Sequence, residues 1–367
     1  VDCSDNELFY YNFGVIQNLG IENLKIEIDT SSTEDLNVGG LVKYNYGLIS
    51  RCYVTGSISV KTNGNLCIGG FSSSSNLYNL SHELRMKYPC YSYQNRNIEF
   101  CYCELDIDVK IQSDVKTCYI YGFGRTVFEF ANSKMAYNYC VLNVNASLKS
   151  VENFYVNAFS TSISNSFAKV NINVEAEKAT NYDFNQYVDY YSSDSEIKAL
   201  IGGKTVPKLI NTTTTVENLK SKEWMESNLF DIKGVWIYDS INFPKPSLTS
   251  QIVIDTQEQF EKLDGNTLCG EYILNCDIDL KGKSYFIYAN YGVFNGNGHI
   301  IYNYSSSGTN ILAIFEYNLG IIKNLGVENL SVNTSSKTYY YIAGLVGVNF
   351  GTINACFVKG DIYYFNK

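Results

Sequence analysis

Three carboxylates occupy alternate positions of one short stretch: Glu104, Asp106 and Asp108, interleaved with Cys103, Leu105, Ile107 and Val109. On an extended strand alternate residues share a face, so the three acids would stand together about 7 Å apart. Paired acids are the equipment of glycoside hydrolysis, and grouped carboxylates can hold calcium. They make the one plausible acidic centre for a polysaccharide lyase or hydrolase. Aligned stretches argue against it. Thr55, Ser57 and Ser59 fill the same columns on one side, and Asn143, Asn145 and Ser147 on the other. With no basic residue there to act as a lyase base, a solvated outer face is expected and no catalytic residue is assigned.

The other reactive types are dispersed. The chain has 11 cysteines and 2 histidines, with no CxxC pair and no histidine cluster at zinc spacing. His82 and His299 are isolated, and neither GxSxG nor HExxH occurs. No metal and no cofactor is expected. Cys52, Cys101 and Cys140 take the same inward position of successive repeats, with Ser166 next, and are expected to stack as small apolar groups. Cys269 and Cys276 could form a disulfide.

The elements that must carry these residues are strands. Among 367 residues there are 4 prolines, 32 tyrosines and 20 phenylalanines, a composition that favours strands. Cys52 to Val60 aligns with Cys101 to Val109, Cys140 to Leu148, Ser166 to Val174 and Cys356 to Tyr364. Small or apolar residues alternate with polar ones in each, which buries one face and wets the other. A second element precedes each strand, with a small residue at Gly40, Gly70, Gly122, Ala158 or Gly344 where neighbouring passes approach closely. Repeats of about 30 residues that cannot bury their apolar face alone must stack. The expected fold is all-β: a right-handed parallel β-helix, or β-solenoid.

The net charge is −9 and no basic stripe is present, so nucleic acid is not an expected partner. No run has the length of a membrane-spanning helix, so no membrane insertion is expected, and residues 1–12 lack a signal-peptide pattern.

The phrases from Gly39 to Val54 and from Ala343 to Val358 resemble GLUG-motif repeats. Residues 251–304 resemble the opening coil of such arrays, and 217–248 the segment that closes one. The resemblance is specific in 13–61 and 251–367 and weak in 110–215. It implies an extracellular or cell-surface module of an adhesin-like repeat protein. Asn12 and Gly14 recur at Asn318 and Gly320, an offset of 318 − 12 = 306; Gly40 and Cys52 recur at Gly344 and Cys356, an offset of 344 − 40 = 304. The chain therefore reads as 1–215, the C-terminal coils of one β-helix module; 216–250, a short helical or irregular closing segment and connector; and 251–367, the opening coils of a second. Both modules would be incomplete. A monomeric segment of a longer tandem array is expected, its last coil an edge open to pairing.

Insertions 72–98 and 124–138 leave the same corner of consecutive coils. The first carries Tyr78, Tyr88, Tyr91 and Tyr93 with Arg85 and Arg96; the second carries Arg125, Phe128, Phe130 and Tyr137. Loops on a rigid scaffold gather binding residues, and tyrosine surfaces suit protein or sugar. The expected function is non-enzymatic: adhesion or ligand display, with a host or neighbouring-cell protein or glycan bound through these loops. A passive spacer is the plainest alternative. The stretch 182–196 is expected to cover the solenoid end as a loop with a short helix, and 216–228 to be helical from Thr215 or Val216.

Overall fold

The computed structural model describes residues 8–74, 98–125, 135–160, 163–164, 166–184, 188–207, 212–228, 236–239, 241–248, 251–268, 270–307, 312–334 and 341–364. Strands take 62% and helices 6%, so the all-β class holds. Nearly every pairing between strands is parallel, and no sheet closes on itself. The chain divides into two compact units, 1–230 with 236–248, and 231–235 with 249–367.

In the first unit each pass of the chain lays one strand on each of three sheets. Phe9–Asn12, Val42–Asn45, Ser72–Ser74 and Gly124–Arg125 form one; Val15–Gln17, Leu48–Ser50, Ile98–Glu99, Met135–Ala136 and Ile163–Ser164 form the second. The third holds the longest strands: β1 (Gly20–Asp29), β2 (Tyr53–Thr62), β3 (Tyr102–Tyr121), β4 (Tyr139–Asn157), β5 (Phe167–Asp183) and β6 (Glu196–Ile201). Alternation along β3 is strict: Cys103, Leu105, Ile107, Val109 and Ile111 are buried, while Glu104, Asp106, Asp108 and Lys110 are exposed. Stacking in register makes columns such as Ile26–Ile58–Ile107–Val144–Ile172, and that interior stripe is the core.

The glycine column works by close approach. A Cβ on Gly40 would stand 2.2 Å from the Gly70 carbonyl, and one on Gly70 would stand 2.1 Å from that of Gly122. The small residue is a packing requirement, as expected.

One sequence alignment is corrected. Cys103, not Cys101, pairs with Cys140, and Cys140 pairs with Ala168 rather than Ser166. The third stretch alone is slipped by two residues; Ser166 to Val174 keeps the expected register with Cys52 to Val60 and Cys101 to Val109. A period-two pattern is unchanged by such a slip, so the inward face stays right while the partners change. What sets the register is the corner before each strand, where Arg51, Phe100 and Tyr137 adopt positive φ. Next to them, backbone N–H groups donate to side chains one pass further on. Cys52 donates to Cys101 Sγ (3.4 Å), Cys101 to Asn138 Oδ1 (3.0 Å), Asn138 to Ser166 Oγ (3.2 Å) and Ser166 to Asp189 Oδ2 (2.8 Å). Cys101 and Ser166 belong to this polar ladder, not to a stack of apolar groups under Cys140.

Residues 190–201 form strands rather than a loop with a helix: Tyr190–Ser192 and β6 both pair with β5. The chain then turns to α1 (Val216–Lys220), capped by the Thr215 side chain, and α2 (Lys222–Asn228), which bury Leu219 and Met225. Residues 236–248 return along the corner of the coils. Phe243 meets Tyr139 edge-on at 4.8 Å, Lys245 lies 5.2 Å from the Tyr53 ring, and buried Arg51 donates to the Ser247 carbonyl at 2.8 and 3.2 Å. This strap runs from the fourth pass back to the second.

The second unit repeats the three-sheet plan over shorter strands. It opens with α3 (Gln257–Glu261), fixed by a capping box between Thr256 and Gln259. Asparagines stack along one corner: Asn290 donates to Asn318 (2.9 Å) and Asn318 to Asn349 (2.7 Å).

Candidate functional site

The outward face of β1–β6 gathers the polar residues that the alternation exposes. Parallel register turns them into rows running across the strands. One row is Lys25, Ser57, Asp106, Asn143, Asn171 and Glu196; the next is Glu27, Ser59, Asp108, Asn145, Asn173 and Lys198. A third is Asp29, Lys61, Lys110, Ser147, Glu175 and Leu200. Residues in a row are about 4.8 Å apart, and rows about 7 Å apart.

Side-chain hydrogen bonds tie the rows together. Asn143 donates to Asp106 (2.8 Å), Asn145 to Asp108 (3.1 Å), and Asn171 to Asn143 (2.9 Å). Ion pairs flank them, Lys61–Asp29 at 2.9 Å and Lys198–Glu196 at 2.8 Å. The second and third rows line an open groove of about 630 Å³, and a smaller hollow of about 400 Å³ lies over Asn143, Asn145, Asn171, Asn173, Glu196 and Lys198. The larger groove presents four carboxylates (Glu27, Asp29, Asp108, Glu175) beside two lysines (Lys61, Lys110), with serine and asparagine between.

Glu104, Asp106 and Asp108 do share this face, but their surroundings differ from the sequence alignment. Their partners on β4 are Val141, Asn143 and Asn145, again the slip of two. Basic residues do occur in the columns: Lys169 follows Val141 in the Glu104 column, and Lys25 and Lys198 end the other two. The expectation that none was there is therefore wrong. Each lysine is ion-paired, Lys169 with Asp194, Lys198 with Glu196 and Lys25 with Glu27, so each is committed to a neighbouring carboxylate. Glu104 accepts a hydrogen bond from the hydroxyl of Tyr102, whose pKa burial drives up.

Of the loop residues, Tyr78, Tyr88, Tyr91, Tyr93, Arg85, Arg96, Phe128 and Phe130 lie outside the described residues. Tyr137 stacks on Phe100 at 4.8 Å, and Arg125 lies 4.4 Å over the Tyr119 ring. Both side chains are thus packed onto the coils. His82 and Cys269 also fall outside the described residues, and Cys276 carries a free thiol.

One pairing and one half-buried carboxyl escaped sequence reading. His299 Nδ1 sits 3.0 Å from Asp277, which also accepts the Ile300 N–H at 3.0 Å. These contacts, the backbone bond foremost, hold the Asp277 carboxyl below its usual range. The two residues are one pass apart, a spacing with no local signature. Glu316, in the second unit, has its carboxyl pushed up to about 7 by burial. Among the described residues, no group of three or more metal-ligating side chains converges, and no helix is long and apolar enough to cross a membrane.

Comparison with known proteins gives no match: no family model, no curated protein and no solved structure aligns with this chain.

Proposed function

We propose that the chain is a non-enzymatic, extracellular repeat module of the GLUG-motif type, a right-handed parallel β-helix whose polar sheet face binds an extended glycan. The observation that carries this reading is the groove over the second and third rows. It offers amide, hydroxyl and carboxylate groups at regular spacing over five strands. Such a surface pairs donors and acceptors with successive hydroxyls of a polymer. Sugar hydroxyls both donate and accept, so asparagine, which does the same, suits them.

A hydrolytic reading is less well supported. Asp106 and Asp108 are each engaged by an asparagine amide, and the nearby lysines are ion-paired. No aromatic side chain lines the groove, so each site would bind weakly. Repetition along a surface would supply the avidity.

The test is a panel of polysaccharides run in affinity gels with the chain, with the same mixtures read by mass spectrometry. Retention of the chain with intact polymer is expected, lost in an Asn145→Ala/Asn173→Ala variant that keeps the wild-type melting temperature. New oligosaccharides, absent with Asp106→Ala, would replace binding by catalysis. Retention by no polymer would leave the spacer reading in its place.

A further inference from the structure

Tyr53, Tyr102, Tyr139 and Phe167 are the first residues of β2, β3, β4 and β5. They pair in register, two residues before the Glu104 column and on the same outward face as the polar rows. Strand spacing sets Tyr53 about 4.8 Å from Tyr102. The ring centroids of Tyr102 and Tyr139 are 5.6 Å apart, and those of Tyr139 and Phe167 4.2 Å. The rings thus make an aromatic band across four passes, joined to the rows by the bond from the Tyr102 hydroxyl to Glu104. Although the band belongs to an outward face, Tyr102 and Tyr139 are 1% and 0% exposed. The strap at 236–248 covers them. Phe243 meets the Tyr139 ring edge-on, and Lys245 lies 5.2 Å over the Tyr53 ring and 5.9 Å over that of Tyr102.

The cover is an imperfect fit. Its strand pairing, Trp236–Ile237 with Lys245–Pro246, is internal to the strap. Among the described residues, no backbone–backbone hydrogen bond joins the strap to a coil strand. Side chains hold it instead: Arg51 donates to the Ser247 carbonyl and Lys220 to that of Ile241. Ile237 and Ile241 are 57% and 75% exposed, facing solvent rather than the band. Beneath the strap the Tyr139 hydroxyl finds no hydrogen-bond partner among the described residues. A buried hydroxyl left unpaired costs free energy that a polar ligand would recover.

We propose that the aromatic band is a stacking platform for the apolar faces of neutral, equatorially substituted sugar rings, and that the strap masks it. The inference rests on the glycan reading above. A β-1,4-glucan has flat faces of axial C–H groups, which fit against the ring faces that Lys245 and Phe243 now occupy. Its hydroxyls both donate and accept, so they supply the partner that Tyr139 lacks. The next sugars along the polymer reach the row of Asp106 and Asn143 on the same face. The open groove has no aromatic lining, and the band provides what it is missing. Polymer held by the rows competes with the strap for the same rings and shifts it toward the lifted position.

Calorimetric titration with cellohexaose tests this. Phe243→Ala/Lys245→Ala removes the two side chains over the rings and bares them whether or not the strap backbone lifts. That variant should bind cellohexaose at least about tenfold more tightly than the wild type. Adding Tyr53→Ser, at a ring that is only half-buried, should cancel most of the gain. The wild type gives a check free of any substitution. Saturating cellohexaose should raise acetylation of the Lys245 amine, read by peptide mass spectrometry, because the amine leaves the rings. Equal affinity of variant and wild type overturns the platform, and so does Lys245 reactivity that bound sugar leaves unchanged; retention of polymer by the rows survives both results. Binding of neither the hexamer nor any polymer, by either protein, removes the glycan reading and this inference with it.

Discussion

At the residue scale, the corner ladder assigns a thiol to a polar task. Cys101 Sγ accepts from the Cys52 N–H, and both residues are fully buried. Cys101→Ser keeps an acceptor of similar size and should change stability by less than about 1 kcal/mol. Cys101→Ala strands a buried N–H and should cost about 1–3 kcal/mol, as urea unfolding would read. Equal losses for both variants would mean that the thiol only fills space. Glu316 gives a pH signature. Its native carboxyl holds a proton to about pH 7, against an ordinary value of 4.5. Its contribution to stability is therefore fully present below about pH 4.5 and declines as pH rises to about 7, because the native state binds the extra proton. Asp277 acts in the opposite sense, losing its contribution as pH falls through the carboxylate range. Glu316→Gln should flatten the decline between pH 5 and 7, seen as a smaller change in urea midpoint than in the wild type.

At the scale of elements, a strand face and a strap divide the labour. The long strands expose rows of polar groups only because every second residue is committed to the core. The strap at 236–248 packs against the ring column Tyr53, Tyr102 and Tyr139 beside those rows, with Arg51 as its anchor. Arg51→Ala would remove two charge-assisted bonds to the Ser247 carbonyl and leave a hole at a buried position. Destabilisation of about 2–4 kcal/mol is expected in chemical denaturation. A loss below about 0.5 kcal/mol would show the strap to be an ornament of the fold. Gly70→Ala tests the coil spacing, since its Cβ would press on the Gly122 carbonyl and Cys103 Sγ. It should cost at least about 2 kcal/mol, and a neutral substitution would refute the close packing.

At the scale of the whole molecule, the net charge of −9 selects among polymers. It repels an anionic polysaccharide and leaves a neutral one unaffected, and added salt screens that repulsion. Retention of an acidic polymer in affinity gels should therefore rise as sodium chloride is raised to about 0.5 M, while retention of a neutral polymer stays level. A fall for the acidic polymer would assign its binding to the lysines of the rows instead.

Much of this was legible in the residues themselves. The alternation in 101–109 and 166–174 and the small residues at 40, 70 and 122 specified buried faces, parallel stacking and close approach, because these are local requirements of a pleated, repeating chain. Which strand met which at what register was not legible. A pattern of period two is identical after a shift of two, so Cys140 found Cys103 only through the turn geometry and side-chain bonds at the corners. That same shift placed Asn143 and Asn145 beside Asp106 and Asp108, and Val141 beside Glu104. The pairing of His299 with Asp277, the burial of Glu316 and the return of residues 236–248 over the second to fourth passes likewise arise between segments distant in sequence. Local composition sets each strand's two faces. Only the three-dimensional stacking decides which residues become neighbours, because that choice is made by contacts no single segment contains.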